Sequence, residues 1–340
     1  MTDGLRATEL RWHRARRWIV DGVSIAVRPG EIVGLLGPNG AGKTVTLSMI
    51  AGLLAPTSGR VVIDGVDVTD LPLYRRARAG LGYLPQERSI FTKLSARDNI
   101  LAILGARGVR RRDAGKRADE LLEQFGLTLL ARTRASQLSG GEQRRLEVAR
   151  CLAVRPRILL FDEPFAGIDP LTIESLHGIM VRLGDAGVGV LVTDHNVRET
   201  LALCDRAYVL IDGRVLSEGT PALLVENPSV RRHFLGESYD VRLGAGIPSA
   251  DAGPAAARAG AGALAGDWNG AFSPVSAGKQ AAVKAADADH ESEIVPSPGI
   301  GHAVDANVLG EQSDHKVDRR DESLPETEPE AGSRPQPMVQ

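Results

Sequence analysis

Gly37-Pro38-Asn39-Gly40-Ala41-Gly42-Lys43-Thr44 satisfies the pattern G-x-x-x-x-G-K-[ST] without a mismatch. An apolar run, Glu31–Leu36, leads into it, and a helical pattern, Thr44–Leu53, leads out. That strand, loop and helix order is the setting the pattern needs. Glycines let successive backbone N–H groups turn inward on an anion, and the following helix adds the positive end of its dipole. Lys43 is expected to set a compact charge on the β- and γ-phosphates of a nucleoside triphosphate, and the Thr44 hydroxyl to ligate Mg2+. A glycine-rich turn with a chance lysine is the bland alternative, and the flanking elements argue against it.

Working outward, the runs Glu31–Leu36, Arg60–Ile63, Ile158–Phe161 and Val188–Thr193 are short, rich in Ile, Leu and Val, and separated by longer amphipathic segments. Unbroken apolar runs between helices predict a parallel sheet buried on both faces, hence a doubly wound α/β core. Between about residues 88 and 155 strand signals vanish, while Asp113–Phe125 and Gly141–Val154 show helical spacing, which predicts a helical insert. Leu10–Val27 alternates as an antiparallel edge sheet would. Past Tyr239 the composition turns to Ala, Gly, Pro, Ser and acids, too poor in large apolar residues to offset ordering entropy. A folded domain over 5–238 and a disordered tail over 240–340 are therefore expected.

The strand Ile158–Phe161 closes on Asp162-Glu163-Pro164. Successive strand side chains point to opposite faces, so the two acids divide their work. Asp162 is expected on the metal side, and Glu163 toward an attacking water as general base. As isolated residues they would read as solvated turn acids; beside a matched phosphate loop they read as functional.

Leu138-Ser139-Gly140-Gly141-Glu142-Gln143 runs directly into the helical pattern Glu142–Val154. Small residues at a helix N-terminus suit an anion, although Ser139 could equally be a plain cap. This passage resembles the signature motif of the ABC ATPase family, and the resemblance extends over nearly all of residues 5–238. It implies a P-loop NTPase (RecA-like) α/β core with a parallel sheet, an N-terminal antiparallel edge sheet and a helical subdomain. It also implies that Ser139, Gly140 and Gly141 grip the γ-phosphate of ATP bound to an opposite subunit. Gln86, in Gly82-Tyr-Leu-Pro-Gln86, then matches the Q-loop glutamine that senses Mg2+. Asp169, in Ala166-Gly-Ile-Asp169-Pro, matches the D-loop, and His195, in Thr193-Asp-His195, matches the switch histidine at the γ-phosphate. The chain departs from the family at Val45, where a hydroxyl residue is usual, and near Arg14, where an aromatic normally stacks on adenine. Arg14 could stack through its planar guanidinium, or Trp12, His13 or Trp18 could substitute.

The resemblance implies a homodimer that closes head to tail around two ATP molecules and drives separate transmembrane permease subunits. Their docking groove is expected near Phe91, just after the Q-loop. Gly82-Tyr-Leu-Pro-Gln-Glu and Thr193-Asp-His-Asn-Val-Arg-Glu-Thr200 closely resemble lipopolysaccharide-export ATPases; branched-chain amino-acid importers share the segment order and are the alternative. A soluble ABC protein acting on ribosomes or nucleic acid would carry two cassettes, and a GTPase an Asn-Lys-x-Asp string. The net charge of −2 gives no pull toward nucleic acid, and the Arg11–Arg17 cluster reads as a solvated edge. No stretch reaches the roughly 20 apolar residues of a membrane helix. With no signal-peptide pattern at the N-terminus, a cytoplasmic location, peripheral on the inner membrane through partners, is expected. Cys151 and Cys204 read as buried core thiols.

Overall fold

Ile32–Leu36, Ile158–Asp162 and Gly189–Thr193 are buried at every position, as strands covered on both faces must be. The computed structural model describes residues 4–236. Along the chain lie β1 (Leu5–Arg14), β2 (Arg17–Val27), β3 (Ile32–Leu36), α1 (Lys43–Ala51), β4 (Ser58–Ile63), β5 (Val66–Asp67), α2 (Leu73–Arg78) and β6 (Leu81–Leu84). Three helices follow: α3 (Ala96–Ala106), α4 (Arg111–Gln124) and α5 (Gly140–Leu152). The chain then alternates through β7 (Ile158–Asp162), α6 (Pro170–Asp185), β8 (Gly189–Thr193), α7 (Val197–Leu203), β9 (Arg206–Ile211), β10 (Arg214–Gly219) and α8 (Pro221–Glu226). The tail expected to be disordered lies outside the described residues.

One sheet has the order β10-β9-β3-β8-β7-β6, parallel except for the antiparallel edge strand β10. A second, antiparallel sheet has the order β2-β1-β4-β5. The N-terminal expectation holds in kind, with Leu10–Val27 resolving into a hairpin that begins at Leu5. Arg60–Ile63 requires a correction. It is a strand, but it pairs antiparallel with β1 instead of joining the parallel core. A short apolar run cannot report its sheet, because both sheets press one face into the same core.

Alternate residues of each parallel strand feed opposite cores. Ile158 and Leu160 of β7 face Leu5, Leu10, Ile25 and the α1 residues Leu47 and Ile50. Leu159 and Phe161 join the other core with Leu146 of α5, Leu121 of α4 and Ile100 of α3. The helical insert is therefore welded to the underside of the parallel sheet. Helix α3 lacks a decisive periodicity in the sequence, β6 is too short and β10 too polar to stand out, and β9, apolar over Ala207–Ile211, is a strand the sequence reading missed.

The helix that carries Lys43 is anchored from below. Arg76 of α2 is buried and donates to the carbonyls of Met49, Ile50, Thr69 and Leu71 at 2.6, 2.7, 2.6 and 2.7 Å. It places a cation at the negative end of α1 and satisfies carbonyls that a helix terminus leaves open.

Candidate functional site

The phosphate loop bridges β3 and α1. Gly42 caps α1 with φ 98°, and a β-carbon there would lie 2.8 Å from the carbonyl oxygen of Ile19, so only glycine fits the turn. No side chain caps α1, and its first turn holds no acid. The positive end of the helix is left to an anion. Lys43 is buried, with Nζ donating to the carbonyls of Gly37 at 2.8 Å and Pro38 at 3.1 Å. Burial lowers its pKa, and the charges of Glu163, Asp162 and Asp194 oppose that shift.

Asp162 ends β7 and is buried. Its Oδ1 accepts from Thr193 Oγ1 at 2.7 Å and lies 3.4 Å from Thr44 Oγ1; the Tyr83 phenol also donates to it. Burial raises the Asp162 pKa, while these hydrogen bonds and Lys43 pull it down. Hard oxygen donors paired in this way fit Mg2+, which is commonly bound by one carboxylate together with substrate phosphates. Tyr83 and Thr193 escaped the sequence reading; each sits one strand away from the residue it serves.

Glu163 parts from Asp162 by a backbone turn, adopting φ 43° as it leaves the strand. Its N–H donates to the Thr193 carbonyl at 2.9 Å. Gln86 Nε2 donates to Glu163 Oε2 at 2.9 Å, and His195 Nδ1 stands 3.4 Å from that same oxygen. Three expected site residues thus converge on one carboxylate oxygen. They arrive from beyond the ends of β6, β7 and β8, which are neighbours in the parallel sheet, and crevices at the carboxyl ends of such strands hold ligands.

The signature residues form a second cluster. Ser139 caps α5 in a reciprocal box, in which Glu142 N–H donates to Ser139 Oγ at 3.3 Å and Ser139 N–H to Glu142 Oε2 at 2.7 Å. Gly140 and Gly141 open the helix. Asp169 caps α6, accepting from Thr172 N–H at 3.0 Å and Thr172 Oγ1 at 2.7 Å. The residues after Gln86 reach this cluster, with Arg88 Nη1 donating to Gln143 Oε1 at 2.7 Å and Ser89 N–H to Glu147 Oε1 at 2.7 Å. Phe91, 44% exposed, lies under the Arg150 guanidinium at 5.0 Å from its ring centre.

Arg14 ends β1 opposite Arg17, at the exposed tip of the hairpin. Beside it Trp18 is 46% exposed and meets His13 edge-on at 5.1 Å. Arg11 is matched by Asp21 at 3.4 Å. Cys204 is buried and Cys151 half-buried; both are free, and burial pushes their thiols up to about 12 and about 11. No helix among the described residues is long and apolar enough to cross a membrane.

A glycine loop entering a helix from a parallel strand, with acids at the end of a neighbouring strand, defines a P-loop nucleoside triphosphatase. The ABC transporter family profile matches residues 20–166. The chain is 48% identical over 241 residues to the lipopolysaccharide export system ATP-binding protein LptB of Acidithiobacillus ferridurans, covering 71% of this chain and all of the relative. The LptB of Escherichia coli is 48% identical over 228 residues, 67% of this chain and 94% of the relative. A probable ABC transporter ATP-binding protein of Azorhizobium caulinodans is 53% identical over 223 residues, 66% of this chain and 79% of the relative. Among solved structures, the ADP conformation of an ATP-binding cassette of an ABC transporter superposes with TM-score 0.63 at 25% identity, covering 70% of this chain and all of the other. A dimeric post-hydrolysis cassette bound to ADP and Pi gives TM-score 0.57 at 28% identity, covering 64% and 98%. The chain belongs to the ATP-binding subunits of ABC transporters, and it is an ATPase.

Proposed function

We propose that this chain powers the export of lipopolysaccharide, working as one half of a head-to-tail dimer on the cytoplasmic face of the inner membrane. Separate membrane subunits would extract the lipid for delivery to the outer membrane. The observation that carries the ATPase step is the convergence of Gln86, Glu163 and His195 on one carboxylate oxygen. There Glu163 takes a proton from the attacking water, Gln86 orients the carboxylate, and His195 meets the γ-phosphate side. Gly37 to Thr44 hold the triphosphate, with Lys43 on its β- and γ-oxygens. Thr44, Asp162 and Gln86 would hold Mg2+, which would neutralise charge developing on the phosphates. The hairpin bearing Arg14 and Trp18 supplies the adenine contact.

Ser139, Gly140 and Gly141 of one protomer close on the nucleotide held by the other, with Asp169 at the seam. The exposed rings and aliphatic groups of Phe91 and Leu94 line the groove for the membrane subunits. The cargo reading is supported by relatives named for lipopolysaccharide export at 48% identity across almost their whole length. A branched-chain amino-acid importer ATPase is the second reading, favoured by its shared segment order.

Two measurements test this. Glu163→Gln should abolish turnover yet form a stable ATP-bound dimer by light scattering; a variant that turns over normally refutes the assigned role. Purification from membranes should bring down lipopolysaccharide-export permeases, and recovery of amino-acid permeases would end the cargo reading.

A further inference from the structure

Asp194 is fully buried, and its carboxylate oxygens meet backbone N–H groups of two different loops and the His195 ring. Oδ2 accepts from Phe165 N–H at 2.9 Å, two residues beyond Glu163. Oδ1 accepts from Asn196 N–H at 2.8 Å, one residue beyond His195, and lies 3.5 Å from His195 Nδ1. The residues on either side of Asp194 brace the same partner loop. Thr193 binds Asp162 through its hydroxyl and Glu163 N–H through its carbonyl, and His195 approaches Glu163 Oε2. The last residue of β8 and the two after it thus hold the end of β7 and the loop that follows it.

A buried carboxylate is costly unless its oxygens are bonded, so a neutral residue would serve better if packing alone were at stake. Only a carboxylate offers an acceptor on both arms. An asparagine in the same shape would turn an NH2 donor against one of the two N–H groups. We infer that Asp194 is a positioning residue that ties the loop of Glu163 to the loop of His195 and so sets their spacing for hydrolysis. The inference rests on the roles proposed above for those two residues. It adds a third member that acts through backbone N–H groups.

The test uses the full chain and Asp194→Asn. We expect kcat to fall roughly 10- to 100-fold, the range a displacement of about 1 Å produces at a reacting centre. KM and the affinity for a non-hydrolysable ATP analogue should stay within about threefold, because Lys43 loses one of three neighbouring carboxylate charges but keeps its bonds to the Gly37 and Pro38 carbonyls. In a His195→Ala background the same substitution should cost little more, since both act through one geometry. Turnover within about twofold of the parent would overturn the inference, as would full additivity with His195→Ala or an equal fall in analogue affinity. Amide exchange in the parent protein gives a reading that needs no variant. Phe165 and Asn196 N–H groups should be protected together, and fast exchange at either one breaks the tie. If Glu163→Gln and His195→Ala both retain turnover, the underlying reading fails; if only Asp194→Asn does, this inference alone fails.

Discussion

Thr172 Oγ1 stands 2.8 Å from the position a β-carbon would take on Gly141. The first turn of α6, capped by Asp169, thus presses directly on the opening of α5. Gly141 is glycine for lack of room, independently of anything it does for a phosphate. Gly141→Ala should destabilise the fold by about 1–3 kcal/mol, overpacking outweighing the better helix propensity of alanine. Adding Thr172→Ala should recover most of the loss. Chemical denaturation of the single and double variants measures both, and a neutral single variant would contradict the contact.

Lys43 lies buried among three carboxylates with its ammonium already bonded to loop carbonyls. In the proposed role it would meet a phosphate at little reorganisation cost. Lys43→Ala should weaken nucleotide affinity by at least about tenfold, roughly 1.4 kcal/mol. Calorimetric titration with a non-hydrolysable ATP analogue checks this, and unchanged affinity would count against the cradle.

Arg76→Met preserves much of the side-chain volume but removes a donor from four carbonyls, of which Met49 still accepts from the Gly52 N–H. The expected loss is about 2–3 kcal/mol, since a buried acceptor left without a partner, as at Ile50, costs on the order of 1–3 kcal/mol and the part-buried Leu71 and Thr69 carbonyls less. The denaturant midpoint should fall. Because Met49 and Ile50 close α1, nucleotide affinity should weaken along with it.

His177 packs edge-on against Phe165 at 4.9 Å, and burial lowers its pKa against the pull of Glu199 and Glu174. The folded chain therefore takes up this proton at lower pH than the unfolded chain, where histidine titrates near ~6.5. Its contribution to stability is present above that value and is lost as pH falls through the lowered one. Between pH ~7.5 and ~5.5, two pH values that bracket the ordinary histidine pKa, the unfolding midpoint of the parent should drop more than that of His177→Phe. Equal drops would show that His177 does not carry the effect.

The strands β3, β7 and β8 were legible because all their residues are buried, leaving unbroken apolar runs. Strand β10 alternates between half-buried and exposed residues at a sheet edge, and β6 spans only Leu81–Leu84, so neither announced itself. Tyr83, Thr193 and Asp194 stand inside quoted motifs, yet their bonds are not legible there, because each partner, Asp162 or Phe165, is remote in sequence. Ser139 was read as an anion ligand or a cap; in the protomer it caps, sharing that task with Glu142.

The amino-acid order alone determined the phosphate loop, the acid pair, the signature turn and the class of enzyme, because those depend on backbone conformations within a few consecutive residues. The tertiary structure alone decided that Gln86, 77 residues from Glu163, shares an oxygen with His195. It also decided that Asp194 binds the two loops together. Those contacts exist only because β6, β7 and β8 lie side by side, and strand adjacency is settled by how whole faces pack, which no local stretch encodes.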